Sequence, residues 1–352
     1  MGEQKELPFP YETKELEPEE EELIKSNLGT YITRYVKLGP KGYMVLKPYM
    51  KDAANIYNMP LRPTDVFVAS YQRSGTTWTQ ELVWLVANDL NYEKAAEIPL
   101  AERYPFIDGF MFFEPEKREL YADVMSKTAD ENFDREKYMQ LIEFLSLPVS
   151  PLLAAAPLTQ KRFIKTHLPM SLMPPKMLDT AKVVYVARDP RDVAVSCYHH
   201  SRLFKLVDPL KPFKSFWEIF YRGLFTLAPY FEHVKEAWEQ RHNPNMLFLF
   251  YEELSKDLPA SINRVADFLD KKLNEEEINR LCDHLSIDNF KKNKSVNFEE
   301  MREIGVLAKG ESFIRKGKSG WRDYFDEEMT QQAEQWIEEN LTDTDLRFPS
   351  MK

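Results

Sequence analysis

The sequence predicts an α/β fold: a single domain with a central parallel sheet flanked by helices and a P-loop-like, anion-binding turn at the end of one strand. Three observations carry this reading. Four short apolar runs, at 65–70, 161–166, 182–188 and 246–251, lack strict in–out alternation, as strands do when helices cover both faces of a parallel sheet. Stretches with apolar residues at helical spacing separate the later runs, and strands alternating with helices build parallel sheets. The first run, D-V-F-V-A-S, passes through Y-Q-R-S-G-T-T-W (71–78) into an amphipathic stretch, which is the order strand, polar glycine turn, helix.

Residues 1–25 are rich in Glu, Lys and Pro and are expected to form an extended arm with a solvated acidic face, leaving 26–352 as the domain. Short apolar pieces with Gly and Pro punctuation fill the chain up to residue 63. A strand at 65–70, a turn at 71–76 and a helix at 77–88 come next, with Trp78, Leu82, Leu85 and Val86 on one helical face. Residues 91–150 are less regular, carrying Tyr104, Phe106, Phe110, Phe112 and Phe113 before a charged, helix-prone stretch. Beyond the 182–188 run, helical patterns are expected over 192–206, over the Trp- and Phe-rich 213–240, and around Ile262, Val265, Ala266 and Leu269. Neither a repeat nor a low-complexity linker interrupts the chain, so one domain is the simpler organisation.

The 352 residues are 43% hydrophobic and 13% aromatic, an ordinary globular composition. A formal charge of −10 argues against a nucleic-acid binder, so any phosphate must meet a local basic cluster. Cys197 and Cys282 make neither a disulfide framework nor a zinc-binding spacing, which fits a reducing compartment. The N-terminus lacks a basic region followed by an apolar stretch, and the longest apolar run, P-V-S-P-L-L-A-A-A-P-L, is short and broken by prolines. A soluble cytoplasmic protein without a membrane span is expected.

In an open α/β sheet, ligands bind beyond the carboxyl ends of the strands. The four runs end in Tyr71-Gln72-Arg73-Ser74, Lys165-Thr166-His167, Arg188-Asp189 and Tyr251-Glu252, so basic groups and rings project from one edge. In the turn, Gly75 permits a tight bend while Ser74, Thr76 and Thr77 offer N–H groups and hydroxyls at a helix N-terminus. A plain capped helix competes with that reading, and Arg73 and Arg188 favour an anion. A lone histidine is more often structural than catalytic. His167, however, ends a strand on the ligand edge with Lys165 two residues back on the same side of the pleat, where a neutral imidazole can take a proton from a hydroxyl. The other five histidines show no partner, and Asp189 and Asp192 read as helix-capping and dipole-complementing residues rather than metal ligands. With no Walker lysine and no paired carboxylates, no metal site is expected and a P-loop kinase is disfavoured. F-I-R-K-G-K-S-G-W-R, ending at Arg322, reads either as a solvated charge run or as backbone wrapped around an anion.

Together, Y-Q-R-S-G-T-T-W, K-T-H-L-P, R-D-P-R-D-V-A-V-S and R-K-G-K-S-G-W-R resemble, in order and spacing over about residues 45–340, the motifs of the cytosolic sulfotransferases. The sequence is most similar to the insect retinol dehydratase branch of that family. The resemblance implies transfer of a sulfuryl group from 3'-phosphoadenosine-5'-phosphosulfate (PAPS) to the hydroxyl of a small hydrophobic alcohol or phenol, without a metal. It implies that Arg73, Ser74, Gly75, Thr76 and Thr77 wrap the 5'-phosphosulfate and that Trp78 stacks on adenine. It implies further that Arg188, Ser196, Arg315, Lys316 and Gly317 hold the 3'-phosphate, that Tyr251 contacts the nucleotide, and that Ser286 and Ile287 line the adenine pocket. His167 would be the general base and Lys165 a transition-state cation. If the alcohol is retinol, elimination of the ester to anhydroretinol is the alternative outcome.

Three positions depart from the family pattern. Arg73 stands where Lys is usual and can act only through charge and hydrogen bonds; Ile287 replaces an aromatic; and Gly320 meets Trp321 one residue early. The family's dimerisation signature is matched by K-K-N-K-S-V-N-F-E-E, from Lys291 to Glu300, so a homodimer through that segment is expected. Candidates for an apolar acceptor wall are the aromatics of 104–113 and those between Phe216 and Phe231. A non-catalytic carrier of hydrophobic ligands would explain those aromatics but would leave the basic edge without a role.

Overall fold

The computed structural model describes residues 7–28, 34–128, 133–204, 211–308, 313–314 and 320–351. Seven strands are named here in chain order: β1 (Thr13–Lys14), β2 (Tyr35–Leu38), β3 (Tyr43–Leu46), β4 (Val66–Ala69), β5 (Phe163–Thr166), β6 (Lys182–Ala187) and β7 (Met246–Phe250). The four predicted runs become β4 to β7, a sheet of order β5-β4-β6-β7 in which every neighbouring pair is parallel. β5 lies on one side of β4 and β6 on the other, so the connections diverge there and a crevice opens between the β4 and β6 ends.

Covered faces explain why the runs do not alternate between apolar and polar. Phe67, Ile164, Val183, Tyr185 and Phe248 point to one face, which packs under the helices Pro190–Leu203, Phe213–Tyr221 and Tyr230–Glu239. Val66, Val68, Phe163, Val184, Val186 and Leu249 point to the other, against Thr76–Ala87, Leu258–Phe268 and Glu275–His284. The period of two is present in the backbone, but both sets of side chains are buried.

One expectation changes. The acidic arm does not stand away from the body: Pro18–Leu28 is a helix that buries Ile24 and Leu28, and Glu19, Glu20 and Glu21 sit in its first turn, where they complement its dipole. Just before it, β1 pairs antiparallel with β2, and β2 with β3. The helical pattern of 213–240 is divided between two helices. Gly223, at φ +71°, ends the first, and Pro229, which cannot donate to a helix, stands at the N-cap of the second. β3 is joined to this break, with Met44 N–H on the Ala228 carbonyl at 2.8 Å and Leu227 N–H on the Met44 carbonyl at 2.7 Å.

The helices Arg118–Thr128 and Arg135–Leu145 pair in the region whose sequence is least regular. They form a small core of their own from Ala122, Met125, Tyr138 and Ile142 with Ile304 and Val306. None of the helices among the described residues is long and apolar enough to cross a membrane.

At the amino ends of β4 and β5, Arg162 clamps the two strands together. Its Nε donates to Asp65 Oδ1 at 2.7 Å, and its Nη1 and Nη2 donate to the carbonyls of Leu153 and Pro60 at 2.7 and 2.8 Å. Both side chains of the pair are sealed from solvent. Removing one partner of a buried pair strands the other charge, so Asp65→Ala is expected to lower the unfolding free energy by about 3–5 kcal/mol in a urea titration.

Candidate active site

The turn after β4 is built by two left-handed residues. Arg73 adopts φ +65° and Gly75 φ +106°. A Cβ at residue 75 would lie 2.6 Å from Tyr251 Cδ2, so glycine is required for space as well as for conformation. The bend leads directly into the helix Thr76–Ala87, whose first N–H groups face the crevice. Ser70 Oγ and Thr76 Oγ1, 2.6 Å apart, tie the two ends of the turn together.

Charge converges on this turn from both sides of the crevice. Arg188, one residue past β6, holds its guanidinium carbon 4.2 Å from the Tyr251 ring centroid and donates through Nη1 to the Arg73 carbonyl at 3.4 Å. Arg73 Nε donates to Ser196 Oγ at 3.2 Å, and its Nη2 donates to the Phe313 carbonyl at 3.0 Å. Ser74 Oγ and Arg188 Nε are buried with no protein partner. An unsatisfied hydroxyl and guanidinium N–H beside a helix N-terminus are the donor set that a phosphate or sulfate oxygen fills, so the residues present fit an anionic nucleotide.

His167, just past β5, is held at three points. Its Nδ1 lies 2.9 Å from the Ser70 carbonyl, which can only accept, so Nδ1 carries the proton and Nε2 keeps the lone pair. Its backbone N–H donates to Asp108 Oδ1 at 3.0 Å. Its carbonyl accepts from His233 Nε2 at 2.7 Å, while Tyr185 OH, 2.8 Å from His233 Nδ1, supplies the donor that this tautomer requires. Burial, reinforced by the charge of Lys165, holds the His167 imidazole well below the ordinary histidine range, so it is neutral at physiological pH.

Lys165 rests its ammonium 3.9 Å from the Phe106 ring centroid. Burial pulls its pKa down, Asp108 opposes that shift and Arg73 adds to it. Burial pushes the Asp108 carboxyl up, against the His167 N–H, the Thr166 hydroxyl and Lys165. Among the described residues, no group of three or more His, Cys, Asp or Glu side chains is disposed to hold a metal ion.

One cavity of about 2050 Å³ collects most of the sequence-predicted residues. Arg73, Gly75, Thr76, Thr77, Trp78, Lys165, His167, Arg188, Ser196, Tyr251, Ser286 and Ile287 all line it, whereas Ser74 lies fully buried beneath the turn. Trp78 donates its indole N–H to the Leu285 carbonyl at 2.9 Å, which fixes its ring beside Ser286 and Ile287. Arg315, Lys316 and Gly317 fall outside the described residues. Their flanks are anchored near the site: the Phe313 carbonyl on Arg73, and the N–H groups of Gly320 and Trp321 on Asp192 Oδ1 at 2.9 and 3.2 Å. Asp189 is the N-cap expected of it, and Asp192 stands in the first turn, where it complements the dipole and also restrains Gly320 and Trp321.

The aromatic wall divides in two. Phe106, Phe110, Phe112 and Phe113 line the cavity, as does Phe225, while Phe216, Phe220 and Phe231 are core. Sequence reasoning missed Asp108, although it stands within the aromatic segment 104–113, because a single carboxylate among phenylalanines carries no spacing signal. It also set aside His200 and His233. His200 lines the cavity, and His233 is tied to the His167 carbonyl, contacts between segments far apart in the chain. Replacing Gly75 by Ala is expected to cost roughly 1–3 kcal/mol in a denaturant titration, from left-handed strain and displacement of Tyr251.

Known proteins share this fold. Residues 63–345 match the family described as Sulfotransferase domain. The chain is 34% identical to luciferin sulfotransferase from Photinus pyralis over 324 residues, 90% of this chain and 82% of that protein. It is 30% identical to sulfotransferase 1B1 from Mus musculus over 313 residues, 87% and 92% of the two chains. A crystal structure of retinol dehydratase in complex with androsterone and the inactive cofactor PAP superposes with a TM-score of 0.95 at 67% identity, covering 98% of this chain and all of that one. The chain is thus a PAPS-dependent transferase, and it belongs to the sulfotransferase family.

Proposed function

We propose that the chain sulfates a large hydrophobic alcohol, with His167 as general base and Arg73 and Lys165 as charge stabilisers. The observation that carries this is the continuity of the cavity: its cationic turn and its phenylalanine wall are two ends of one space, and His167 and Lys165 line that space with both. The nucleotide supplies the sulfuryl group. In this reading Trp78, Ser286 and Ile287 bound the adenine, Tyr251 contacts the nucleotide, Arg188 and Ser196 take the 3'-phosphate together with Arg315, Lys316 and Gly317, and the 73–77 turn takes the 5' end.

The chemistry comes from the groups. His167 Nε2, bare in the tautomer fixed by Ser70, accepts the hydroxyl proton as the acceptor oxygen attacks sulfur. Arg73, the Lys165 ammonium and the turn N–H groups stabilise charge gathering on the bridging and sulfuryl oxygens. Donors already oriented by the fold need little reorganisation.

A second reading concerns the fate of the ester once the sulfuryl group has moved. With an allylic alcohol the new ester carries a good leaving group. Departure of sulfate with the C–O electron pair, then loss of a proton from the conjugated cation, gives a hydrocarbon. The 67% identity to retinol dehydratase, whose structures hold retinol in one case and androsterone in another, favours a retinol-like acceptor. A homodimer through 291–300 and a cytoplasmic location belong to the same reading. Lys291, Lys292, Lys294 and Glu300 are exposed on that segment, with Val296 turned into the core, and both cysteines are free thiols.

Incubation with retinol and PAPS labelled in the sulfuryl group separates the outcomes: labelled inorganic sulfate with a hydrocarbon marks dehydration, and a labelled ester marks simple transfer. His167→Ala is expected to reduce kcat by about 10²–10⁴-fold while leaving the Kd for adenosine 3',5'-bisphosphate unchanged by calorimetry in EDTA. Because the folded His167 pKa is depressed, kcat/KM should persist on the acid side well below the ordinary histidine value of 6.5, and an acid limb at or above that value would contradict the assignment.

A further inference from the structure

Asp108 lies outside the cavity wall and is fully buried. The segment leading to it runs beside β5 as an extra edge: Phe106 bridges Lys165 in parallel, Lys165 N–H donates to the Pro105 carbonyl at 3.0 Å, and Ile107 N–H donates to the Lys165 carbonyl at 3.0 Å. That pairing stops where β5 ends. The next donors up the strand, the Thr166 hydroxyl and the His167 N–H, instead meet Asp108 Oδ1 at 2.8 and 3.0 Å. Thr166 Oγ1 in turn accepts the Leu168 N–H at 3.0 Å. A carboxylate therefore caps the strand at the reactive residue and the one before it, and the Thr166 hydroxyl extends the cap to the one after.

A buried backbone N–H without an acceptor is costly, and a cap that binds two donors to one oxygen fixes the strand end in direction as well as in position. The His233 Nε2–H on the His167 carbonyl and the Ser70 carbonyl on Nδ1 complete the restraint from the other side. Asp108 is also the negative group acting on Lys165, whose other charged neighbour, Arg73, is repulsive. From the helix Pro190–Leu203, His200 faces the same centre and is held neutral by burial, then by Arg73 and Lys165. On the far side Tyr49 faces Asp108 from its buried place at 47–51, and the same burial keeps it un-ionised.

We propose that Asp108 is a positioning residue for sulfuryl transfer: it fixes the backbone of His167 and supplies a counter-charge to Lys165 beside the cavity. This rests on His167 acting as the base and Lys165 as a stabilising cation. Two roles in one carboxylate predict two separable losses. Asp108→Asn keeps the shape and removes the charge. Asp108→Glu keeps the charge and moves the oxygen.

The test is a pH profile of kcat and kcat/KM for both variants against the wild type, with affinity for adenosine 3',5'-bisphosphate measured by calorimetry. In Asp108→Asn, kcat is expected to fall about 10- to 100-fold, because a small misalignment of a reacting group is enough for that. Its alkaline limb should move to lower pH, since loss of the anion lets Lys165 give up its proton more readily. In Asp108→Glu, kcat should fall while the alkaline limb stays in place. Nucleotide affinity should remain within about threefold in both, which a collapsed site would not allow. If Asp108→Asn does not fold, Asp108→Glu alone decides: wild-type kcat overturns the proposal, and a reduced kcat with unchanged limb and affinity supports it. A folded Asp108→Asn with an unmoved alkaline limb overturns the counter-charge. If His167→Ala is inactive while both Asp108 variants match the wild type, positioning alone fails; a fully active His167→Ala fails the base assignment itself.

Discussion

Everything at the working edge of this molecule depends on one constraint: β4, β5, β6 and β7 run in the same direction. Parallel strands deliver their carboxyl ends to one side, so the residue after each strand arrives at a shared rim without any local signal to send it there. Arg73, His167, Arg188 and Tyr251 come from four parts of the chain, and the sheet supplies their only common frame. The divergence of connections at β4 then leaves room between two of those ends, and that room is the crevice.

The same geometry concentrates positive charge in a poorly solvated place. Arg73 sits near Ser196 and Phe313, Arg188 near Tyr251 and Lys165 near Phe106, so aromatic faces and hydroxyls pack against the cations. The carboxylate of Asp108 is buried behind the wall, outside the cavity lining. The ligand side of the rim therefore stays cationic, as a doubly anionic nucleotide needs, in a chain of net charge −10.

Much of this was legible in the residues. The four strand runs fall within one or two residues of β4 to β7, because apolar β-branched and aromatic runs bounded by polar turns have few other ways to be buried. The glycine turn, His167 and Arg188 were legible for a related reason: each stands at or just beyond the end of such a run. The acidic arm was not, since its helix depends on burying Ile24 and Leu28 against distant parts of the chain. Nor was the break at Gly223, because Trp217, Phe220 and Phe231 keep an apolar face on both sides of it. His233, Ser70 and Asp108 were hidden for a third reason: each touches His167 through backbone atoms, which leave no mark on side-chain spacing.

The Arg162–Asp65 clamp grips β4 and β5 at their amino ends, a strand's length away from the rim. Rigidity and chemistry are thus anchored at opposite poles of the same two strands. Insertions and substitutions in the connections above the rim, including the helix pair at 118–145, can accumulate over generations while the foundation below stays locked. A lineage built this way can try new acceptors without first rebuilding its frame.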